Sequence, residues 1–551
     1  MHSVPTRGTS VKEARKIAAP AAMAVPGRRS TPRSRGTFSV HSAKGRLPHK
    51  FGIIQPSPMP TRRAFLQTTP AALMPAAPPR PNILLILADQ LRFDCMGANG
   101  NRLIRTPHLD RLAAASTNFT AAFVQAPVCV PSRVSLLTGR YPHSHKNRVN
   151  YTPCDPREVF LQRMLRDAGY RTGSVGKLHY YPPTAEHARS TGFDRVLLDD
   201  GVGSTDPYSD YVKWRNEHDP RRHIAYHAVE KGAPNPFRGV VPYEFTPVHW
   251  TGEESVRMLR EFAAQPEPFF LHCSFFKPHA PYTVPPPYDS MFDSVEIPLP
   301  PPVSLDDIHK LPLPLQRQIL RFNPQYAMDR TRLEWIYRSY YASVAMVDYE
   351  VGRILDELER SGRAANTVVI FSTDHGDQLL EHGLVDKNVF FESSVHIPLL
   401  VRAPGRLDPG VRRHLVEQVD VVPSVLEWCG VAVPPRVQGR GLLHQREAVF
   451  AENVIPEVIT GGNRDFFYTP GAGIKDIRHL DAKMVRTERW KFNHYVGHGG
   501  ELYDLAEDPG ETRNLVADPA RQNTVREMKD RLLEWLITAD ETDQIAPRWL
   551  L

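Results

Sequence analysis

A continuous apolar run near residue 82 places the strongest constraint on how this chain folds. Residues 82–88 read Asn-Ile-Leu-Leu-Ile-Leu-Ala and are followed at once by Asp89 and Gln90. Because the run lacks the alternation of a strand with one wet face, it predicts a strand buried on both faces, as in a parallel sheet. Ligands of open α/β sheets bind beyond the carboxyl ends of the strands. We therefore expect Asp89 and Gln90 to lie in a functional site.

Helical and strand patterns alternate over the rest of the body. Helices are predicted at 107–118, 157–168, 253–264, 333–360, 419–428 and 523–538, and strands at 171–175, 269–275, 367–372, 396–401, 447–451, 482–486 and 489–494. This alternation predicts an α/β fold with a mostly parallel central sheet flanked by helices. The pattern weakens after about residue 440, which predicts a smaller C-terminal α+β subdomain. We expect a catalytic domain over 81–440 and the subdomain over 441–551.

Basic residues are concentrated at the N-terminus. Residues 1–80 contain 14 Lys and Arg and one acidic residue, whereas the remainder has 54 basic and 60 acidic residues. A mildly acidic body argues against a nucleic-acid-binding surface.

Residues 1–58 show no periodicity, and we expect a disordered or non-native extension. Arg62 and Arg63, followed by a short apolar stretch, resemble a twin-arginine export signal, so 59–80 are expected to be signal and linker of a periplasmic or secreted protein.

Two strand ends present adjacent side chains that could bind a metal. Asp89 and Gln90 follow the first strand, and Asp374 and His375 follow the strand predicted at 367–372. Mostly oxygen donors favour a hard cation such as Ca²⁺ or Mg²⁺, and the imidazole also admits Mn²⁺. Taken singly, an Asp at a strand end is more often a helix cap or turn residue. No run of 18 apolar residues occurs, so we expect no transmembrane helix.

A third signal lies between these strands. Residues 129–133 read Cys-Val-Pro-Ser-Arg, and residues 137–140 read Leu-Thr-Gly-Arg. Pro favours the first helical turn, so Pro131 predicts a helix that covers about 133–137. Cys129 would then lie just before a helix N-terminus, where free N–H groups favour a thiolate or an anionic ligand.

This signature resembles that of the type I sulfatases, in the alkaline phosphatase-like superfamily, and the similarity extends over about residues 81–515. The resemblance implies that Cys129 is oxidised to Cα-formylglycine by a formylglycine-generating enzyme. It also implies one cation per chain, usually calcium. The implied metal ligands are Asp89, Gln90, the modified Cys129, Asp374 and His375. Many members have Asp in place of Gln90 and Asn in place of His375, so this site carries less negative charge.

The same resemblance assigns catalytic roles. The implied catalytic residues are Cys129, Arg133, Lys177, His179, His279 and Lys387. Arg133 would steady the formylglycine, while Lys177 and Lys387 would neutralise the sulfate oxygens. His279 or Lys387 would protonate the departing alkoxide, and His179 would accept a proton when sulfate is released. The implied reaction is hydrolysis of a sulfate monoester by the hydrated aldehyde, with a sulfated small molecule or carbohydrate as substrate.

Other functions share part of this pattern. A phosphonate monoester hydrolase or phosphodiesterase would have the same fold, formylglycine and metal ligands, so the sequence separates it poorly from a sulfatase. A catalytically inactive binder of sulfated glycans is disfavoured because every expected catalytic position is filled. Lys277 has no role in the resemblance, and we expect a solvated loop lysine. Asp199 and Asp200 are candidates for contacting the alcohol part of the substrate.

Overall fold

Strands and helices alternate along the parts of the chain described by the structure, a computed structural model that covers residues 80–201, 206–321, 329–456 and 479–539. The strands in these ranges are β1 (Asn82–Asp89), β2 (Thr117–Phe119), β3 (Ala122–Phe123), β4 (Arg171–Gly176), β5 (Arg195–Leu198), β6 (Phe269–Pro278), β7 (Thr367–Ser372), β8 (His396–Ile397), β9 (Leu399–Arg402), β10 (Gly410–Arg412), β11 (Val416–Glu417), β12 (Ala448–Pro456), β13 (His479–Thr487), β14 (Trp490–Tyr495) and β15 (Gly499–Asp504). The α-helices are α1 (Pro107–Ala114), α2 (Cys129–Thr138), α3 (Pro142–His145), α4 (Leu161–Asp167), α5 (Ala185–Ser190), α6 (Asp210–His218), α7 (Pro247–Ala263), α8 (Leu305–Lys310), α9 (Leu313–Arg321), α10 (Arg330–Arg360), α11 (Glu392–Val395), α12 (Val421–Trp428) and α13 (Gln522–Thr538). The predictions for residues 1–79 fall outside the described ranges.

The central sheet confirms the mostly parallel α/β fold. Its strand order is β10-β2-β9-β7-β1-β6-β4-β5, and β1 is parallel to both of its neighbours. Strand β9 is antiparallel to β7 and to β2. The single strand predicted at 396–401 is wrong, because Pro398 interrupts it. Residues before this proline pair with β3 in a separate small sheet, and those after it enter the central sheet.

Helices cover both faces of the sheet. Ile83, Leu85 and Leu87 belong to a core formed with α2, α4 and α12, whereas Leu84 and Ile86 pack with α7 and α10. Successive strand residues point to opposite faces, so a strand covered on both sides is apolar throughout. Burying one Leu or Ile side chain contributes roughly 1.5–3 kcal/mol. The apolar run therefore belongs at the centre of the sheet.

The C-terminal region contains an antiparallel sheet in the order β12-β13-β14-β15. Helix α13 covers it through Val525, Met528, Leu532 and Trp535. This arrangement confirms the smaller α+β subdomain, and it adds β15, whose Gly-Gly start hides the strand pattern. The boundary near residue 440 stays a prediction.

The carboxyl ends of β1, β4, β6 and β7 meet at one edge of the sheet. Strand β4 ends at Gly176, which has a φ of 88°. A Cβ atom there would lie 2.0 Å from the backbone oxygen of Ser274, so glycine is required immediately before Lys177. Within the described ranges, no helix combines the length and apolarity needed to cross a membrane.

Candidate active site

Four predicted site residues meet at this edge of the sheet. Donor atoms of Asp89, Cys129, Asp374 and His375 lie within 4.8 Å of one another, and all four side chains are buried. The Cys129 Sγ lies 3.2 Å from Nε2 of His375. The other ring nitrogen, Nδ1, lies 2.9 Å from the Gly376 carbonyl oxygen and donates to it. Burial lowers the pKa of His375, but the negative charges of Asp374 and Cys129 outweigh burial and raise it to about 9. In the neutral form, which is the form that binds a cation, His375 directs the lone pair of Nε2 toward the cluster.

Cys129 is the first residue of α2, with Val128 as the N-cap, so the helix begins four residues before the predicted start at 133 and includes Cys129. Burial raises the pKa of the Cys129 thiol, but the positive charges of Lys387 and Lys177 outweigh burial and bring the pKa well below its ordinary value. The helix N-terminus also favours negative charge at this position. The place occupied by the sulfur atom therefore favours an anionic group.

Arg133, one turn further along α2, connects the two strand-end carboxylates. Its Nε donates to Oδ2 of Asp374 at 2.7 Å, and its Nη2 lies 3.2 Å from Oδ2 of Asp89. Its Nη1 donates to the carbonyl oxygen of Lys177 at 2.7 Å. The ammonium group of Lys177 in turn lies 2.5 Å from Oδ2 of Asp89. Burial raises the pKa of Asp89, but the charge of Lys177 outweighs it and the pKa is lowered.

The donor set fits a divalent cation. Oδ1 of Asp89 is buried without a hydrogen-bond partner, although Oδ2 of the same carboxylate contacts both Lys177 and Arg133. Oxygen ligands lie at about 2.3–2.6 Å from Ca²⁺, so two ligands of one ion are separated by at most about 5.2 Å. The separation of up to 4.8 Å within the cluster satisfies this limit. A buried carboxylate oxygen without a hydrogen-bond partner needs an explanation, and a position for a cation ligand provides one.

Gln90, Lys387 and His279 form a second group beside the cluster. Oε1 of Gln90 accepts a hydrogen bond from Nζ of Lys387 at 2.7 Å. The same ammonium group lies 2.8 Å from Nε2 of His279, whose Nδ1 lies 2.5 Å from the carbonyl oxygen of Ala280. Because the ammonium group can only donate, Nε2 of His279 is the acceptor and the imidazole is neutral in this arrangement.

His179 and Lys177 lie on the loop after β4, and Asp200 supports that loop. Oδ1 of Asp200 accepts hydrogen bonds from the backbone N–H groups of Leu178 and His179 at 3.0 and 2.9 Å. Burial and the charge of Lys177 lower the pKa of His179. The structure thus gives Asp200 a supporting role for His179, and its contact with the substrate stays a prediction.

Beside the site, the burial of one residue contradicts its prediction and a second residue was not predicted. Lys277 is only 6% exposed and donates to the carbonyl oxygen of Pro281, so the expectation of a solvated lysine is wrong. Burial lowers its pKa to about 7. Tyr151, which no motif singled out, lies edge-on to His179 with ring centroids 6.0 Å apart. It is half-buried and close enough to Lys177, Cys129 and Lys387 for their charges to act on its hydroxyl.

A mostly parallel sheet with buried carboxylates, a cysteine and two lysines at its carboxyl edge defines a hydrolase of anionic esters with the alkaline phosphatase-like fold. A family model described as Sulfatase matches residues 81–431, and a model described as N-sulphoglucosamine sulphohydrolase, C-terminal, matches residues 380–537. The chain belongs to the sulfatase family and is a sulfuric ester hydrolase.

Relatives of this chain are similar along most of their length. The chain is 28% identical over 488 residues to an arylsulfatase of Clostridium perfringens, with 84% of this chain and 95% of the relative covered. It is 29% identical over 510 residues to the multifunctional alkaline phosphatase superfamily protein PehA of Trinickia caryophylli, with 84% and 96% covered. Among solved structures, the phosphonate monoester hydrolase of Agrobacterium radiobacter matches with a TM-score of 0.71 and 26% identity, covering 84% of this chain and 97% of that one.

Proposed function

We propose that the protein hydrolyses sulfate monoesters of sugars or small alcohols, with an oxidised Cys129 as the nucleophile and one divalent cation. The observation that carries the proposal is the convergence on Cys129 of two carboxylates, one imidazole and the lysines that lower its pKa. A sulfate monoester is an anion and repels an anionic nucleophile. Several positive charges in a site closed to water offset that repulsion, and they act most strongly on the charge that develops in the transition state.

The proposed cation ligands are Asp89, Gln90, Asp374, His375 and the modified residue 129. This donor set is rich in oxygen and favours Ca²⁺, and Mg²⁺ or Mn²⁺ also fit. When bound, the cation supplies positive charge that acidifies a hydroxyl on residue 129 and polarises the sulfate group. Arg133 holds Asp89 and Asp374 in their orientations, because it hydrogen-bonds to both carboxylates.

Residue 129 is proposed to be a formylglycine, produced from Cys129 by a formylglycine-generating enzyme. A plain thiolate offers no internal route for releasing a sulfuryl group. A hydrated aldehyde supplies one hydroxyl for the attack on sulfur and a second hydroxyl whose deprotonation releases sulfate. His179 is suited to accept that second proton, because its lowered pKa keeps the imidazole neutral near pH 7.

Lys387 and His279 are proposed to protonate the leaving alkoxide. The ammonium group of Lys387 lies 2.8 Å from Nε2 of His279, so Lys387 can donate to the alkoxide directly or supply the proton that His279 passes on. His279 is partly exposed, whereas Cys129 is buried, so His279 faces the side from which the alcohol departs. Lys177, in contact with Asp89, is proposed to bind the sulfate oxygens.

The remaining proposals concern the substrate and the cellular location. We propose a sulfated carbohydrate or sulfated small molecule as substrate, with the half-buried Tyr151 beside His179 as a surface for its alcohol part. Export by a twin-arginine signal within 59–80 would bring the enzyme to sulfate esters outside the cytoplasm. We also propose that residues 81–440 form the catalytic domain and residues 441–551 a C-terminal subdomain.

Two measurements test the proposed function. The enzyme, co-expressed with a formylglycine-generating enzyme, is assayed with 4-nitrophenyl sulfate and with the 4-nitrophenyl monoester of phenylphosphonate. We expect a higher kcat/KM for the sulfate; a preference for the phosphonate would instead support the alternative activity, which the similarity to phosphonate monoester hydrolase favours.

Peptide mass spectrometry of the active enzyme should show the peptide with residue 129 lighter by about 18 Da, the mass change from thiol to aldehyde. Cys129→Ala should fold and lose several orders of magnitude in kcat, as expected for removal of a covalent nucleophile. An active sample with only unmodified cysteine at position 129 would contradict the mechanism.

A further inference from the structure

Asp377 is a buried carboxylate to which the proposed mechanism gives no role. It lies three residues after Asp374 and is 0% exposed. Its Oδ2 accepts hydrogen bonds from Nε2 of Gln90 at 2.6 Å and from the hydroxyl of Tyr282 at 3.0 Å. Its Oδ1 accepts from the backbone N–H of Leu379 at 2.9 Å. All three donors are neutral, and a buried carboxylate needs such donors because it cannot be left unsolvated.

These contacts determine which way the amide group of Gln90 points. Burial raises the pKa of Asp377, but its Oδ2 accepts hydrogen bonds from both Gln90 and Tyr282, so the NH₂ end of the amide must face this oxygen. The oxygen end then faces Lys387, whose ammonium group only donates and lies 2.7 Å from Oε1. If the amide were reversed, two donors would meet at Lys387 and two acceptors would meet at Asp377. The orientation is therefore specified from both sides of Gln90.

The orientation matters because only the oxygen end of an amide binds a cation. Gln90 directly follows Asp89, and its backbone N–H donates to Oδ1 of Asp374 at 3.0 Å, so it lies against the proposed metal ligands. We propose that Asp377 is a positioning residue that holds the oxygen of Gln90 toward Lys387 and the cation. This inference rests on the proposed function, because it takes Gln90 to be a cation ligand.

Asp377 also connects the cation site to the leaving-group side. Tyr282, which donates to Asp377, lies on the same loop as His279, three residues further along the chain. Lys387 contacts both the Gln90 oxygen and His279. By accepting hydrogen bonds from Gln90 and Tyr282, the Asp377 carboxylate thus fixes the position of a proposed cation ligand relative to the loop that carries the proposed acid His279.

The test is Ca²⁺ affinity, measured by calorimetry on the metal-stripped full-length protein. Asp377→Ala should weaken binding by about 10–100-fold, the usual effect of losing a residue that orients a metal ligand. The matched control is Asp348→Asn, which alters another buried carboxylate that accepts backbone N–H groups, at the start of α1. The control should leave affinity within about twofold, and melting temperatures of all variants identify any that fail to fold.

A reciprocal exchange separates positioning from a merely structural role. Gln90→Glu in the wild-type background sets two carboxylates against each other and should weaken Ca²⁺ binding. In the Asp377→Asn background, the amide NH₂ introduced at position 377 can donate to the carboxylate introduced at position 90. The same Gln90→Glu change should therefore strengthen binding in that background, because the added negative charge then faces a donor and the cation.

Two outcomes would overturn the proposal for Asp377. One is an equal effect of Gln90→Glu on Ca²⁺ affinity in both backgrounds, and the other is wild-type affinity in Asp377→Ala. A wild-type protein that binds no Ca²⁺, Mg²⁺ or Mn²⁺ would instead overturn the proposed cation site, so the two failures are distinguishable.

Discussion

Replacing Arg133 with methionine should destabilise the metal-free protein much more than the calcium-loaded protein. Arg133 is 1% exposed and forms hydrogen bonds to the carboxylates of both Asp89 and Asp374. Methionine fills a similar space without a charge. The two carboxylates, in a cluster whose donor atoms lie within 4.8 Å of one another, would then repel each other directly. A bound divalent cation would supply the missing positive charge.

The magnitude follows from the geometry. Two unit charges 4.8 Å apart repel by about 3.5 kcal/mol at an effective dielectric constant of about 20. Breaking a buried ion pair by removing one partner costs about 3–5 kcal/mol, which agrees with this figure. Unfolding entropy is about 2.1 cal/mol/K per residue, so about 430 described residues give roughly 0.9 kcal/mol/K. The expected decrease in melting temperature without calcium is therefore about 3–6 °C.

The assay is thermal unfolding of wild type and Arg133→Met in EDTA and in saturating Ca²⁺ at one pH. The difference in melting temperature between the two proteins should be at least halved by calcium. Arg215→Met is the matched control, because it removes a buried arginine paired with Asp219 at 2.8 Å on α6. The decrease in its melting temperature relative to wild type should be the same with and without calcium. If calcium leaves the decrease for Arg133→Met unchanged, the reasoning is refuted.

Three further predictions concern protons and loop support. Burial lowers the pKa of Lys277 to about 7, so between pH 7 and about 10.5 the unfolded chain binds a proton that the folded chain lacks. In denaturant titrations, the stability of wild type relative to Lys277→Met should therefore rise in this window by up to about 1.4 kcal/mol per pH unit. A stability difference that does not change with pH would contradict this prediction. Asp200→Ala removes the acceptor for the backbone N–H of His179 and should lower kcat about 10–100-fold without affecting folding, whereas an unchanged kcat would exclude this supporting role. Lys387→Met should reduce turnover of an alkyl sulfate more than turnover of 4-nitrophenyl sulfate, whose leaving group needs no proton, and equal losses would remove Lys387 from that step.

Local sequence patterns predicted the centre of the fold well. The strand at 82–88 and the strand at 367–372 agree with β1 and β7, because strands buried on both faces are marked by composition alone. The helix predicted at 107–118 is too long, since α1 ends at Ala114 and β2 begins at Thr117. Pairing with β9 and β10 determines this change, and no local pattern records such contacts.

The candidate site was predictable where its residues form short motifs at strand ends, and less so where distant segments meet. Residues adjacent in sequence, such as Asp374 and His375, are brought to the cluster by a single strand. Asp377 and Gln90 are separated by 287 positions, so their hydrogen bond has no local signature. Lys277 looks like any loop lysine until β6 and the loop that follows enclose it.

One electrostatic cause connects the unmodified cysteine with the proposed reaction. Lys177 and Lys387 bring the pKa of the Cys129 thiol well below its ordinary value, although burial acts in the opposite direction. Their effect does not depend on sulfur, since it is a potential that favours negative charge at the end of this side chain. An ionised hydroxyl on residue 129 and the oxygens of a sulfate ester would lie in the same potential. The thiolate therefore stands in for the oxyanion of the reaction, and any change that raises the pKa of Cys129 in the unmodified protein should also slow turnover in the modified enzyme.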